Sequence, residues 1–202
     1  MKKEEQFKRI INAGRELFIS SGPHGFKLRQ LAENLEMYQG NLYNYVQSKR
    51  ELFFAIIKND HEKFRQDMDE IVLNYEGFYT KLLLKLAENY INFAQTQPNV
   101  FKMMFSTPAP LSKKTGPIEK SFKPQSLDVV YNVIKLAIEN DELWEVDANL
   151  LTYFFWGIVH GSVLVSKGYI DEYPEDKDAN KRIHDYILTQ LKHIIDRLYK
   201  KI

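Results

Sequence analysis

The chain has 202 residues, 44% hydrophobic and 27% charged, too apolar for a disordered polymer and long enough for one large domain or two small ones. Cysteine is absent, which excludes disulfides, thiolate zinc sites, iron–sulfur clusters and a cysteine nucleophile. The net charge of +1 divides unequally, with +4 on residues 1–50 and −3 on residues 51–202, so a basic head sits on a mildly acidic body, as in polyanion-binding proteins. The start carries charges with no apolar core after them, so no signal peptide is expected.

The elements read as helices throughout, about nine of them, and the expected fold is all-α. From Phe7 the apolar residues Ile10, Ile11, Leu17 and Phe18 keep a helical period, which stops at Ser20-Ser21-Gly22-Pro23. A short helix is expected at Lys27–Leu35 and another at Tyr38–Tyr45. Ser48-Lys49-Arg50-Glu51 is a capping-box pattern ahead of a long amphipathic run ending near Asn74–Gly77. Further helices are expected over Phe78–Thr96 and Asn99–Ser106. Thr107–Lys123 holds three of the seven prolines and reads as the one long loop. Pro124 is placed to open a helix running to Asn140, and Asp147 to cap one running to Lys167 with Gly168 as its stop. Tyr169–Asp178 reads as an acidic loop, and the last helix spans Asp178–Lys200.

Ala148–Ser166 is nineteen residues without a charge, near membrane-spanning length. It also holds Asn149, Thr152, His160, Ser162 and Ser166, so a buried helix of a soluble protein is the preferred reading, with no membrane partner.

The first fifty residues carry the chemistry. Three helices, the last two short and joined by about three residues, have the dimensions of a helix-turn-helix. In that unit the second short helix enters the DNA major groove. Gly40 lets its start approach the base edges. Gln39, Asn41 and Asn44 offer donors and acceptors, and an Asn or Gln amide can pair twice with adenine. Lys27, Arg29, Tyr43 and Lys49 are placed to clamp phosphates, and Tyr38 sets an aromatic ring near the DNA.

These residues resemble the DNA-binding domain of the tetracycline-repressor (TetR) family. The resemblance is carried by Ile10-Ile11-Asn12-Ala13 to Leu17-Phe18, by Leu28-Arg29-Gln30-Leu31-Ala32, and above all by Gly40-Asn41-Leu42-Tyr43-Asn44-Tyr45 with Ser48-Lys49 and Leu52. Three positions depart from the family pattern. Glu36 stands where the turn usually has Gly, Tyr38 where a small hydroxyl caps the recognition helix, and Lys27 where Thr or Ser caps the helix before it. Trp156-Gly157-Ile158-Val159-His160-Gly161 resembles a Trp…His-Gly motif in the rear domain of one subgroup. The resemblance implies a helix-turn-helix DNA-binding domain over 1–47 and an effector-binding and dimerisation domain over 48–202.

It further implies a cytoplasmic homodimer that pairs through its last two helices, binds a palindromic operator on double-stranded DNA, and encloses a small-molecule pocket. The dimer contacts expected from the apolar faces are Phe155, Gly157, Gly161, Leu164, Ile187, Leu191 and Ile194. The residues expected at an effector, apolar or acyl-type, are Tyr90, Phe93, Phe101, Met104, Phe105, Tyr131, Trp156 and His160. Met and aromatic side chains suit an adaptable cavity and an ordinary core equally. Lys102, Lys113 and Lys114 suit a solvated surface or the anionic head of such a ligand.

No metal-ligand spacing surrounds His61, His184 or His193, and no cofactor is expected. The chain has no nucleophile elbow, P-loop, Gly-rich dinucleotide turn or His-Glu-x-x-His helix, so no catalysis is expected. The expected function is therefore a repressor released from DNA by its effector. A helical enzyme or carrier using the same cavity, and a DNA-binding architectural protein with a filled core, are the alternatives.

Overall fold

The computed structural model describes residues 2–112 and 114–198. Among them are ten helices and no strand: α1 (Lys2–Ser21), α2 (Leu28–Asn34), α3 (Gln39–Leu42), α4 (Lys49–Leu73), α5 (Tyr79–Thr96), α6 (Pro98–Phe105), α7 (Pro117–Ser121), α8 (Ser126–Glu139), α9 (Ala148–Glu172) and α10 (Ala179–Leu198). The addition is α7, a single turn inside the expected loop, opened by Pro117 after an extended Gly116. Proline is favoured there because its missing N–H has no helical partner at that position.

Local chemistry places most boundaries. α1 stops because Gly22 turns left-handed at φ +71°. At α4 the Ser48 hydroxyl accepts the Glu51 N–H at 3.1 Å, and the Glu51 carboxylate accepts the Gln47 N–H at 2.7 Å. That is a capping box shifted back by one residue. The Asp147 carboxylate accepts the N–H groups of Asn149 and Leu150 at 2.8 and 3.0 Å and so opens α9.

Two expected boundaries are corrected, and a third is not reached by the described residues. Pro124 does not begin α8, which starts at Ser126 behind Gln125. Gly168 does not stop α9. An interior glycine costs a helix only about 1 kcal/mol, and the helix continues to Glu172, where Pro174 disfavours a helical Tyr173. The last helix ends its described course at Leu198, so the expected end at Lys200 lies outside the described residues.

The chain forms two compact units. One is residues 1–63 with 99–124, and the other is 64–98 with 125–202. Against the expected division after residue 47, residues 48–63 and 99–124 cluster with the N-terminal helices. The core of the first unit is built from Ile10, Leu31, Leu42, Leu52 and Ile56, all fully buried, and Met103 of α6 joins it. Phe18 sits edge-on to Phe26 and Phe53, with ring centres 4.8 and 5.4 Å apart. Two ion pairs hold α4 here. Arg15 of α1 donates two hydrogen bonds to buried Asp60 at 2.9 and 2.5 Å. Arg50 donates two to Glu119 of α7 at 2.8 and 2.5 Å, and one to the Pro110 carbonyl at 3.1 Å. The Arg50 guanidinium holds the Glu119 carboxyl below its ordinary range.

His61 is buried in this unit, between the rings of Phe105 and Phe122 at 5.3 and 5.4 Å. Its Nδ1 has no hydrogen-bond partner among the described residues. Burial pushes the imidazole down to about 4, partly offset by the Asp60 charge.

In the second unit α5 packs against α8, α9 and α10. Its N-terminus is capped by a distant carboxylate. Glu142 is buried and accepts the Tyr79 N–H at 3.0 Å, the Thr80 N–H at 2.9 Å and the Thr80 hydroxyl at 3.1 Å. Phe78, which precedes α5, contributes no side-chain cap.

Two outcomes follow from these contacts. Glu142→Ala leaves two buried donors of Thr80 and the half-buried Tyr79 N–H without an acceptor and lowers the unfolding free energy by about 3 kcal/mol in urea titration, while the exposed Glu145→Ala stays within about 0.5 kcal/mol. His61 is neutral in the fold, and the unfolded chain takes up its proton first as pH falls. Its stabilising contribution is therefore complete above pH 6.5 and lost between 6.5 and about 4, a decline of about 3 kcal/mol that His61→Leu removes from a pH series of unfolding curves.

Candidate functional site

The recognition element α3 is one helical turn continued by turn hydrogen bonds, Asn44 N–H to the Asn41 carbonyl and Tyr45 N–H to the Leu42 carbonyl. Leu42 and Val46 are fully buried and anchor it to the first unit's core. The remaining face, Tyr38, Gln39, Gly40, Asn41, Tyr43 and Asn44, is exposed. A Cβ on Gly40 would meet nothing within 4 Å, so the backbone there is open from outside. The Gln39 amide donates to the Tyr43 hydroxyl at 3.2 Å and orders both side chains. The turn ahead of α3 is strained. Glu36 holds φ +52°, a left-handed conformation that favours glycine.

The expected phosphate clamps divide. Lys27 is exposed at the start of α2 and gives it no side-chain cap. Arg29 is exposed and paired with Glu33 at 2.7 Å, which raises the guanidinium above its ordinary value. Lys49 is corrected. Its ammonium donates to the Phe26 carbonyl at 2.6 Å and lies 4.5 Å from the centre of the Phe26 ring. Burial lowers its pKa, and in the free protein it braces the loop before α2.

One part of this surface escaped the sequence reading. Lys3, Gln6 and Arg9 of α1 line a groove of about 720 Å³ together with Glu36, Asn41 and Asn44. Phe7 stacks on Tyr45 at 6.2 Å and sets α1 beside the recognition element. The signal was the spacing 3, 6, 9 one helical turn ahead of the apolar stripe.

The second unit holds a small apolar cavity of about 30 Å³, lined by Phe64, Met68, Leu86, Tyr90, Val130 and Trp156, among others. The Tyr90 hydroxyl and His160 Nδ1 share a hydrogen bond of 2.5 Å, and Trp156 stacks on the His160 ring at 4.7 Å. Burial raises Tyr90 and lowers His160, so both are neutral. Of the eight expected effector residues, Tyr90 and Trp156 line this cavity and His160 is bonded to Tyr90. Phe93 packs against Phe64 at 4.9 Å and is not in the wall, nor is Tyr131. Phe101, Met104 and Phe105 belong to the first unit. Lys102 and Lys114 are exposed in that unit, and Lys113 lies outside the described residues.

The expected self-association residues also divide. Phe155, Ile187 and Leu191 are buried within their own chain, because the apolar stripe of α10 is satisfied by its own unit. Gly157 and Leu164 are exposed, and Gly161 and Ile194 half-buried. The preferred reading of α9 as a buried helix is corrected for the single chain. It is long and apolar enough to cross a membrane by length and composition, yet only Thr152, Phe155 and Val159 are buried. Leu150, Tyr153, Phe154 and Val165 are each more than half exposed.

A buried-anchor, open-faced recognition element on a basic helical unit defines a helix-turn-helix DNA-binding protein. Two family models agree. Residues 10–56 match the bacterial regulatory proteins of the tetR family, and residues 83–186 match a tetracyclin repressor-like C-terminal domain. The chain belongs to the tetR family, and it is a DNA-binding transcriptional regulator. It is 22% identical to the HTH-type transcriptional regulator QacR of Staphylococcus aureus over 87% of this chain and 89% of that one. It is 34% identical to the HTH-type transcriptional regulator UidR of Escherichia coli over 31% of this chain and 34% of that one. The fold is shared with the transcriptional regulator FadR of Bacillus subtilis, solved in complex with stearoyl-CoA, at a TM-score of 0.71 and 15% identity, covering 92% of this chain and 97% of that one.

Proposed function

We propose that the protein is a cytoplasmic homodimeric repressor that holds a palindromic operator until a small, largely apolar effector enters the second unit. The observation that carries this reading is the exposed face of α3, where Gln39, Asn41 and Asn44 present amides beside an open Gly40. One such face is too small for tight, specific binding, and two in a symmetric dimer read two half-sites.

The exposed side of α9 supports the dimer. Leu150, Tyr153, Phe154, Gly157, Leu164 and Val165 recur at three- and four-residue steps along it. A continuous apolar face of this length is unfavourable in water, and a second copy would cover it as part of a four-helix interface. The glycines at 157 and 161 let the paired helices approach closely.

The cavity supports the effector. Its lining is apolar apart from Tyr90, whose hydroxyl is bonded to His160 behind it, Ser126 and the indole N–H of Trp156, which favours a ligand with an apolar body and one uncharged polar group. At about 30 Å³ it holds roughly one water, so an effector has to part the walls. Phe64 and Met68 of the wall lie on α4, the helix whose start carries Leu52 and Phe53 into the DNA-binding core. FadR, bound to stearoyl-CoA, shows that a related fold accommodates an acyl ligand.

Selection of genomic DNA by the purified protein tests the first half of this reading. The expected result is a two-fold symmetric sequence with half-sites about one helical turn apart, bound about tenfold more weakly by Asn41→Ala and by Tyr43→Ala. Binding also falls steeply with salt. No enrichment at moderate salt overturns it and leaves the enzyme or carrier reading. Val165→Glu is expected to shift the protein to monomer in sedimentation equilibrium. A variant that stays dimeric removes the α9 face from the interface.

A further inference from the structure

We propose that Tyr38 is a specificity-determining residue that reads thymine, laying its ring against the 5-methyl group in the major groove at the base pair facing the start of α3. The inference rests on α3 being the DNA-reading helix.

Tyr38 is 86% exposed, and its side chain makes no hydrogen bond or ring contact with any described residue. It occupies the position immediately before α3, with extended backbone, and gives that helix no side-chain cap. A serine, threonine or aspartate there would accept a helix N–H and stabilise the turn by about 1 kcal/mol. The same three-residue turn holds Glu36 left-handed at φ +52°. The segment 36–38 thus forgoes a cap and carries strain. Leu35 and Met37 pack on the core and hold the turn, but the Tyr38 side chain adds no contact of its own among the described residues, and a contact made outside the chain would give it one.

The chemistry of the face selects that contact. Gln39 and Asn41, on either side of the open Gly40, are amides suited to purine and pyrimidine hydrogen-bonding edges. Tyr38 adds the only large apolar surface at the start of α3 among the described residues. In the major groove the one apolar group a base pair presents is the thymine methyl. The ring is rigid about two torsions, so ordering it against that methyl loses little entropy. The first residues of a recognition helix are those that meet base edges, which sets Tyr38 at the bases.

The competing contact for a tyrosine here is its hydroxyl on a phosphate, which carries no sequence preference. Two substitutions separate them. Tyr38→Phe keeps the ring and removes the hydroxyl. Tyr38→Ser removes the ring and supplies a cap. Both leave folding intact because the side chain is solvent-exposed, and thermal unfolding checks this.

The experiment runs wild type and both variants through DNA selection, then measures affinity for the wild-type site with one thymine per half-site replaced by deoxyuridine. The expected result is a thymine preference, symmetric in the two half-sites, that Tyr38→Phe retains and Tyr38→Ser loses. Deoxyuridine at that position is expected to weaken wild-type binding about fourfold per half-site, the value of one buried methyl, and to leave Tyr38→Ser unaffected. An unchanged thymine preference in Tyr38→Ser, equal wild-type affinity for deoxyuridine and thymine, or a loss in Tyr38→Phe as large as in Tyr38→Ser each overturns the methyl contact while the DNA-reading role of α3 stands. A wild-type selection that enriches nothing overturns both.

Discussion

The Arg50–Glu119 ion pair is the constraint that makes the first unit what it is. Residues 107–112 carry Pro108, Pro110 and an exposed Leu111, and add only Ala109 and Pro110 to the buried surface. What fastens this stretch to the DNA-binding helices is the two-fold bond from Arg50 to Glu119, the third bond to the Pro110 carbonyl, and the packing of Met103, Ala109, Ile118 and Phe122 on the core. Gly116 belongs to the same fit, since a Cβ there would come within 2.8 Å of the Glu51 carboxylate that helps cap α4. A sheltered ion pair adds little net stability over an apolar pair of the same shape, but removing one partner is costly. Its contribution is geometric: it fixes which residues of the strap meet α4. Arg15–Asp60 does the same from the α1 side, so α4 is gripped by charges on two of its faces.

Tertiary constraints of this kind mark where the sequence stops being legible. The local signals could be read directly because each is a side chain acting on backbone a few residues away. Ser48 with Glu51, Gly22 and Asp147 all do in the structure what their chemistry implies. The recognition element was equally legible, since Leu42 and Val46 alternate with polar residues over a short span. The return of residues 99–124 to the first unit was not, because nothing near Glu119 names Arg50 as its partner 69 positions away.

Helical periodicity alone does not say which apolar faces pair between chains. A stripe says that a face is buried but not what buries it. Ile187 and Leu191 form such a stripe on α10 and are covered by their own unit. α9 is apolar on nearly every side, so one side meets α8 and α10 while the other remains in solvent. The expected effector residues are divided between the two units in the same way. Phe101, Met104 and Phe105 have the composition of a cavity wall and the position of a core. Lys49 shows the converse: a cation in a DNA-contacting motif that the fold has already engaged, through the Phe26 carbonyl and ring.

The same helix that anchors the DNA-binding core also explains why the cavity need not be large to matter. α4 is a single run of 25 residues, with Leu52 and Phe53 at one end and Phe64 and Met68 at the other. A sharp kink in a helix needs a proline, a glycine or a break in its hydrogen bonds, and α4 contains no proline or glycine, so a displacement at one end is passed along it with only gentle bending. On the proposed reading, a ligand that parted Phe64 and Met68 from Tyr90 would act on an element whose other end is fixed by Arg15, Arg50 and the Ser48 cap. A nearly closed cavity makes that displacement a condition of binding rather than an accident of it. An effector can shift the DNA-bound state only by its difference in affinity for the two arrangements of α4, and a cavity that must open to be occupied is one source of that difference.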